Sequence, residues 1–173
     1  METRFTLQLG DLLAAKVDAI VTSTRESLIE GGPLHQAVHA AAGPALRDEC
    51  ETLPECPPGD VRVTGAHQLP FKFIIHTVPP TWMDGNHGEG EELASCYWKS
   101  LEIAKARGAR SIAFPSLGSG RQPQIPLEVA APIAVRTILA YLDRNDFPER
   151  VVLVCYDVAT YQIHQKFLRE TLP

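Results

Sequence analysis

At 173 residues, 45% of them hydrophobic and 21% charged, the chain has the size and apolar content of one domain that buries its core without metal or disulfide staples. A formal net charge of -5 excludes a general nucleic-acid backbone binder, which needs clustered Lys and Arg, but leaves room for one small anion held by backbone amides. The opening Met-Glu-Thr-Arg-Phe has no apolar signal core and no run approaches the roughly eighteen apolar residues of a membrane span, which predicts a soluble, cytoplasmic protein with no membrane partner.

In chain order, strand-like segments rich in Val, Ile, Phe and Thr fall near residues 3–9, 17–22, 60–67, 71–78, 110–115 and 150–156. Helical patterns fall near 33–52, 89–108, 126–144 and 157–170. The runs at 110–115 and 150–155 lack a clean period of two, as strands buried on both faces do. The alternation predicts a three-layer α/β/α sandwich with a mixed, mostly parallel central sheet, one domain over residues 1–173. Pro132 inside the fourth helical pattern removes an N–H and costs about 3 kcal/mol in a regular helix. A kink or a late start is expected there. Cys50, Cys56, Cys96 and Cys155 show no Cys-x-x-Cys spacing and read as reduced, structural thiols.

Two junctions carry the chemistry. Gly31-Gly32-Pro33-Leu34-His35 leads from a glycine turn into an alanine-rich helix pattern, an arrangement in which backbone N–H groups face an anion. Ser116-Leu117-Gly118-Ser119-Gly120-Arg121-Gln122 is a second glycine turn, placed after the strand-like Ser111–Phe114. Together they point to a phosphate-bearing ligand held between two strand-to-helix junctions. No Lys-Ser or Lys-Thr follows the glycines, so the triphosphate P-loop is excluded.

These junctions belong to an ordered set. Gly10-Asp11-Leu12, Val17–Val21, Gly31-Gly32 through His39, Ala41–Pro44, Cys56–Asp60, Phe73–Val78, Ile112–Gly120 and Val152–Tyr156 follow one another along nearly the whole chain. In that order and spacing the chain resembles the macrodomain family, whose members bind ADP-ribose and in some branches hydrolyse its linkages. The resemblance implies that Asp11 accepts from the adenine amino group, helped by the backbone of Leu12, and that Tyr156 stacks on the base. It also implies that Gly118, Ser119, Gly120, Arg121 and Gln122 wrap the diphosphate. Each residue has a plainer alternative: Asp11 as a helix N-cap, Tyr156 as cover for the sheet edge with Tyr161 as a competitor for stacking, and Arg121 as a solvated surface charge. Gln122 stands where the commoner pattern has an aromatic over the distal ribose, and Gln124-Ile125 adds one residue before Pro126. The Gly-Ser-Gly-Arg form is similar to that of histone-fused macrodomains, which bind without hydrolysing.

The first loop departs further. The best-known hydrolase branch reads Val-Asn-Ala-Ala-Asn, four residues, four glycines, an apolar residue and a catalytic aspartate. Aligned without a gap, this chain places Thr22 and Arg25 at the two asparagines and Glu30-Gly31-Gly32-Pro33 at the four glycines. Leu34 then takes the apolar position and His35 the aspartate's. His35 is the one candidate base, since an imidazole titrates near neutrality, and Glu26 and Glu30 are possible replacement acids. His35 and His39, four apart, share a helix face but have no third ligand in the sequence pattern, and no metal or cofactor is expected. His39 and His76 align with structural histidines of the family.

The reading is a binding module for ADP-ribose or an ADP-ribosylated macromolecule, with Asp11, Leu12, Thr22, Arg25, Gly31, Gly32, Leu34, His35 and Tyr156 at the ligand together with the second loop. Two alternatives stay open. One is an ADP-ribosyl or ADP-ribose-phosphate hydrolase with a nonstandard constellation around His35, Glu26 or Arg25. The other is a degenerate macrodomain that binds another nucleotide, an RNA end or a protein.

Overall fold

The computed structural model describes residues 3–119 and 123–172. Its six strands are β1 (Phe5–Leu9), β2 (Ala19–Ser23), β3 (Val61–Gly65), β4 (Phe73–Thr77), β5 (Ser111–Pro115) and β6 (Arg150–Cys155). They form one sheet in the order β1-β6-β5-β2-β4-β3. All neighbours pair in parallel except the edge strand β3, which runs antiparallel to β4. The helices are α1 (Pro33–Ala42), α2 (Pro44–Glu51), α3 (Glu89–Ala106), α4 (Leu127–Arg144) and α5 (Val158–Thr171), with a 3-10 turn at Leu12–Ala14.

Apolar residues on both faces of each inner strand explain the missing period of two. In β2, Ala19 and Val21 face one core and Ile20 the other. Phe73 and Ile75 oppose Ile74 in the same way, and Ile112 and Phe114 oppose Ala113. The first core is closed by α3, α4 and α5 through Leu93, Tyr97, Val135 and Phe167. The second is closed by α1 and α2 through Val38, Ala42, Leu46 and Cys50. Burying a side chain of this size contributes about 1.5–3 kcal/mol, so both faces are needed to offset the entropy of ordering a chain this long.

Two helical expectations change. The pattern over 33–52 is two helices, because Gly43 takes a left-handed φ of 89° and Pro44 begins α2. The helix containing Pro132 starts at Leu127 and runs to Arg144, so the proline does not delay it. The carbonyl it leaves without an i+4 donor is that of Glu128, an exposed residue. All four cysteines are buried and free, and burial pushes Cys96 and Cys155 up to about 12. Among the described residues no helix is long and apolar enough to cross a membrane.

Candidate functional site

Parallel pairing brings the C-terminal ends of β1, β6, β5, β2 and β4 to one rim of the sheet. From β2 the chain leaves toward β3 and β4, whereas from β5 it leaves in the opposite direction toward β6. The crevice between β2 and β5 is therefore the topological switch point, where open α/β sheets place their ligands. A cavity of about 250 Å³ lies there. Ser23, Thr24 and Arg25 line it from the end of β2, Gly31 to His35 from the start of α1, Pro79 from beyond β4 and Gly118 from beyond β5.

The loop from Thr24 to Glu30 closes on itself. Thr24 N–H donates to Thr77 O at 2.9 Å, Arg25 N–H to Glu30 O at 3.0 Å and Thr24 Oγ1 to the same carbonyl at 3.0 Å. The loop's left-handed residue is Leu28, with φ 70° and no exposure, rather than a glycine. Gly31 serves a different need: a Cβ there would lie 2.5 Å from Cβ and Cγ of His35. Gly32 caps α1 with no side-chain bond and Pro33 occupies the first turn. The N–H groups of Leu34 and His35 are thus left for a partner outside the helix, beside the positive end of its dipole.

His35 lines the cavity yet is only 4% exposed. Burial lowers its pKa to about 4, His39 adds to the effect, and a hydrogen bond to the Ile29 backbone opposes it. The His35 and His39 rings lie 4.2 Å apart, tilted by 39°. His76, fully buried on β4, shares a hydrogen bond of 2.8 Å with Thr64 Oγ1 and is lowered to about 3, by burial first and then by the other two imidazoles. Among the described residues, His35 Nδ1, His39 Nε2, His76 Nδ1 and Thr22 Oγ1 find no hydrogen-bond partner where they are buried. Thr22 does not line the cavity; it is fully buried in β2, paired in register with His76. Ser23 and Thr24, the next two residues, line the cavity instead, although Thr24 is itself buried.

The β1 end of the rim is simpler. Leu9 pairs with Cys155, and Gly10 N–H donates to Cys155 O at 2.9 Å. Asp11 and Tyr156 therefore follow neighbouring strand ends. Asp11 is exposed and its Oδ1 accepts from Leu13 N–H at 3.0 Å, capping the 3-10 turn. The capping role is real, and Oδ2 makes no such bond. The Leu12 side chain is buried and its carbonyl accepts from Ala15 N–H at 3.1 Å. Tyr156 is 90% exposed, whereas Tyr161 is partly buried and packs against the α3–α4–α5 core.

In the second loop Gly118 has φ 88°, and a Cβ on it would meet Ile125 Cδ1 at 2.7 Å. Ser119 Oγ donates to Ser116 O at 2.7 Å, Ile125 N–H to Gly118 O at 3.1 Å, and the Gln124 amide to Ser119 O. Gly120, Arg121 and Gln122 lie outside the described residues.

Sequence reasoning missed Glu89, which is 2% exposed and organises the loop after β4. Its carboxylate accepts N–H bonds from Met83, Asp84, Gly85 and His87 at 3.0, 3.2, 2.9 and 2.6 Å. Against the upward pull of burial, these backbone donors hold it down at about 2. An acid just before a helical pattern and behind a Gly-rich loop was the available signal. Asp84, His87 and Glu89 are the one group among the described residues close enough to share an ion, but the carboxylate of Glu89 is already saturated by backbone donors.

The comparisons agree with this geometry. The family model for the Macro domain matches residues 21–134. A macro domain-containing protein of Methanosarcina mazei is 45% identical over 163 residues, which cover 94% of this chain and 87% of the relative. A protein of Citrobacter rodentium named O-acetyl-ADP-ribose deacetylase is 41% identical over 98% of each chain. A mutant Oceanobacillus iheyensis macrodomain with ADPR superposes with a TM-score of 0.90 at 36% identity, covering 95% of this chain and 91% of that one. With a family model over residues 21–134 and relatives above 40% identity along nearly the whole chain, the chain belongs to the macro domain family.

Proposed function

We propose that the chain is a binding module for ADP-ribose or an ADP-ribosylated macromolecule, working in the cytoplasm as one macro domain over residues 1–173. The observation that carries this reading is the parallel pairing of β1 with β6, extended by the bond from Gly10 to Cys155, which brings Asp11 and Tyr156 to the ends of neighbouring strands at one end of a rim whose middle holds the cavity. An exposed aromatic stacks on a base for about 1–3 kcal/mol. A carboxylate oxygen with no partner among the described residues can accept from an exocyclic amine, and the start of α1 with the Gly118 turn offers N–H groups to the diphosphate. Relatives with ADP or ADP-ribose in their crystals support the assignment. Ligand binding to the folded state raises the unfolding temperature. A thermal-shift series with ADP-ribose is expected to give a saturating increase; a flat series at millimolar ligand removes the reading.

The Citrobacter relative's name favours hydrolysis of an acylated ADP-ribose as the second reading. Its weakness lies at His35. A base lowered to about 4 is neutral at pH 7 but abstracts a proton poorly, because the efficient catalytic pKa lies near the working pH. Arg25 also stands where an asparagine would position the ribose. Release of acetate from O-acetyl-ADP-ribose, abolished by His35→Ala and comparable in rate to an active deacetylase, would promote this second reading over the first.

A further inference from the structure

We propose that the edge of the sheet opposite the nucleotide rim is a second binding surface, one that takes the phosphate backbone of a nucleic acid. It is independent of the nucleotide reading and uses none of the residues on the rim.

Five exposed cations meet at the N-terminal ends of the strands: Lys16 ahead of β2, Lys72 ahead of β4, Arg107 and Arg110 ahead of β5, and Arg150 at the start of β6. Direct contacts join them into one cluster. Arg150 Nη2 donates to Lys16 O at 2.6 Å, although the two residues are 134 positions apart, and Arg150 N–H donates to Arg110 O at 3.0 Å. Arg110 N–H donates to Asp18 Oδ2 at 2.8 Å, Lys72 N–H to Asp18 O at 2.7 Å, and Lys72 Nζ lies 3.7 Å from Asp18 Oδ2. The Arg107 guanidinium sits 5.4 Å from the centre of the Phe73 ring, and Phe73 follows Lys72 in the chain. The sequence scatters these residues from position 16 to position 150; strand pairing gathers them.

Among the described residues, Asp18 is the carboxylate that touches the cluster, and its Oδ2 already serves Arg110 N–H and Lys72. Asp146 and Glu149 are exposed and close to Arg150 in the chain, but neither forms an ion pair with these cations among the described residues. Lys16, Arg107, Arg110 and Arg150 likewise form no ion pair there. The net charge of -5 belongs to the whole molecule, and this edge departs from it. A five-residue strand, about 16 Å long, separates the edge from the nucleotide rim. Exposed charges farther apart than a Debye length of about 10 Å at 0.1 M salt are largely screened from each other.

The arrangement selects the partner. Strands β6, β5, β2 and β4 are consecutive in the sheet, so their starts form a row across three gaps of about 4.8 Å, about 14 Å in all. One strand of a B-form duplex carries about four phosphates over that axial length. Arg107, Arg110 and Arg150 add planar guanidinium groups, whose paired donors match phosphate oxygens. A lipid surface fits less well. The exposed large apolar residues Leu9, Met83, Tyr156 and Val158 belong to the opposite edge and Leu172 ends the chain beyond α5, so none stands among the cations to enter a bilayer.

Fluorescence anisotropy of a short labelled DNA duplex of mixed sequence, titrated with the full chain in chelator, tests this surface. Binding is expected at low salt, with log K falling linearly with log salt at a slope of about -3 to -4 for about four neutralised phosphates. Lys16→Gln combined with Arg110→Gln removes two charges whose side chains make no bond among the described residues, and is expected to flatten that slope by about two. Lys72→Gln is expected to flatten it by about one. Arg136→Gln, exposed on α4 and outside the cluster, should leave the slope unchanged, and saturating ADP-ribose should not displace the duplex. No binding at low salt, an unchanged slope in the folded cluster variants, or displacement by ADP-ribose overturns the proposal. Competition by polyglutamate equal to that by unlabelled duplex of matched charge overturns it too, because the surface would then read charge without reading phosphate.

Discussion

The β1 end of the rim and its middle are built on opposite principles. At the β1 end Asp11 and Tyr156 project from finished strand ends; Tyr156 is 90% exposed and the core does not depend on it. In the middle, each group is locked to the next: Gly31 against His35, His35 on the His39 ring at 4.2 Å, and Leu28 buried in a left-handed conformation. The first end places removable side chains on a rigid backbone, whereas the second builds its shape out of close packing and buried polar atoms. Substitution of Tyr156 is expected to alter binding alone, and substitutions at the second region to alter stability and binding together.

Acid offers the largest contrast. His35 and His76 have folded pKa values of about 4 and about 3 against an ordinary 6.5, and His39 and His164 are lowered as well, with burial as the leading cause in each. The unfolded chain therefore takes up protons that the folded one refuses. Stability is expected to fall as pH drops from 6.5, by up to about 1.4 kcal/mol per pH unit for each histidine, and to level off for His35 below about 4. Between pH 6.5 and 5 the depressed carboxylates Glu89 and Asp60 are still ionised in both states, so the histidines dominate that window. Denaturant unfolding across it should show a slope that His35→Gln reduces by one proton's share. An unchanged slope would mean that His35 titrates alike in both states.

Gly31→Val comes next. Its new Cβ meets His35 at 2.5 Å, and overpacking of this kind costs typically 1–3 kcal/mol. Both the unfolding midpoint and the ADP-ribose affinity should drop, since moving His35 moves the start of α1. A variant of parental stability would show that the loop relaxes freely.

Tyr156→Ala tests the open end. It should weaken ADP-ribose binding by about 1–3 kcal/mol while leaving the unfolding curve in place. Loss of stability instead would assign the ring to the sheet edge. Asp11→Ala should have a smaller and divided effect, about 1 kcal/mol from the lost cap of the 3-10 turn and a comparable loss from the adenine contact. Comparing unfolding with titration separates the two parts.

How much of this the sequence disclosed follows the same division. Asp11 and Tyr156 were legible because they stand at the ends of apolar strand runs, where position along the chain fixes position on the rim. The glycine turns were legible for the same reason. The split at Gly43-Pro44 carried its own signal in the dipeptide, but the continuous alanine-rich pattern masked it. Thr22 and its neighbours show what the sequence leaves open. A strand exposes or buries successive residues according to which face is covered. Thr22 is buried opposite His76, and Ser23 and Thr24 line the cavity, only because β2 pairs with β4 in this register. The stacking of His35 on His39 likewise depends on how deeply α1 sits, which helical spacing alone does not set.

The central claim, that adenine sits at Asp11 and Tyr156 with the rest of the nucleotide running toward α1, is tested most directly by calorimetric titration of ADP-ribose into the parent protein. The account predicts a saturable heat with one ligand per chain, and competition by ADP but not by ribose 5-phosphate, which lacks the base. No heat at millimolar ADP-ribose from folded protein, or equal competition by ribose 5-phosphate, would contradict it.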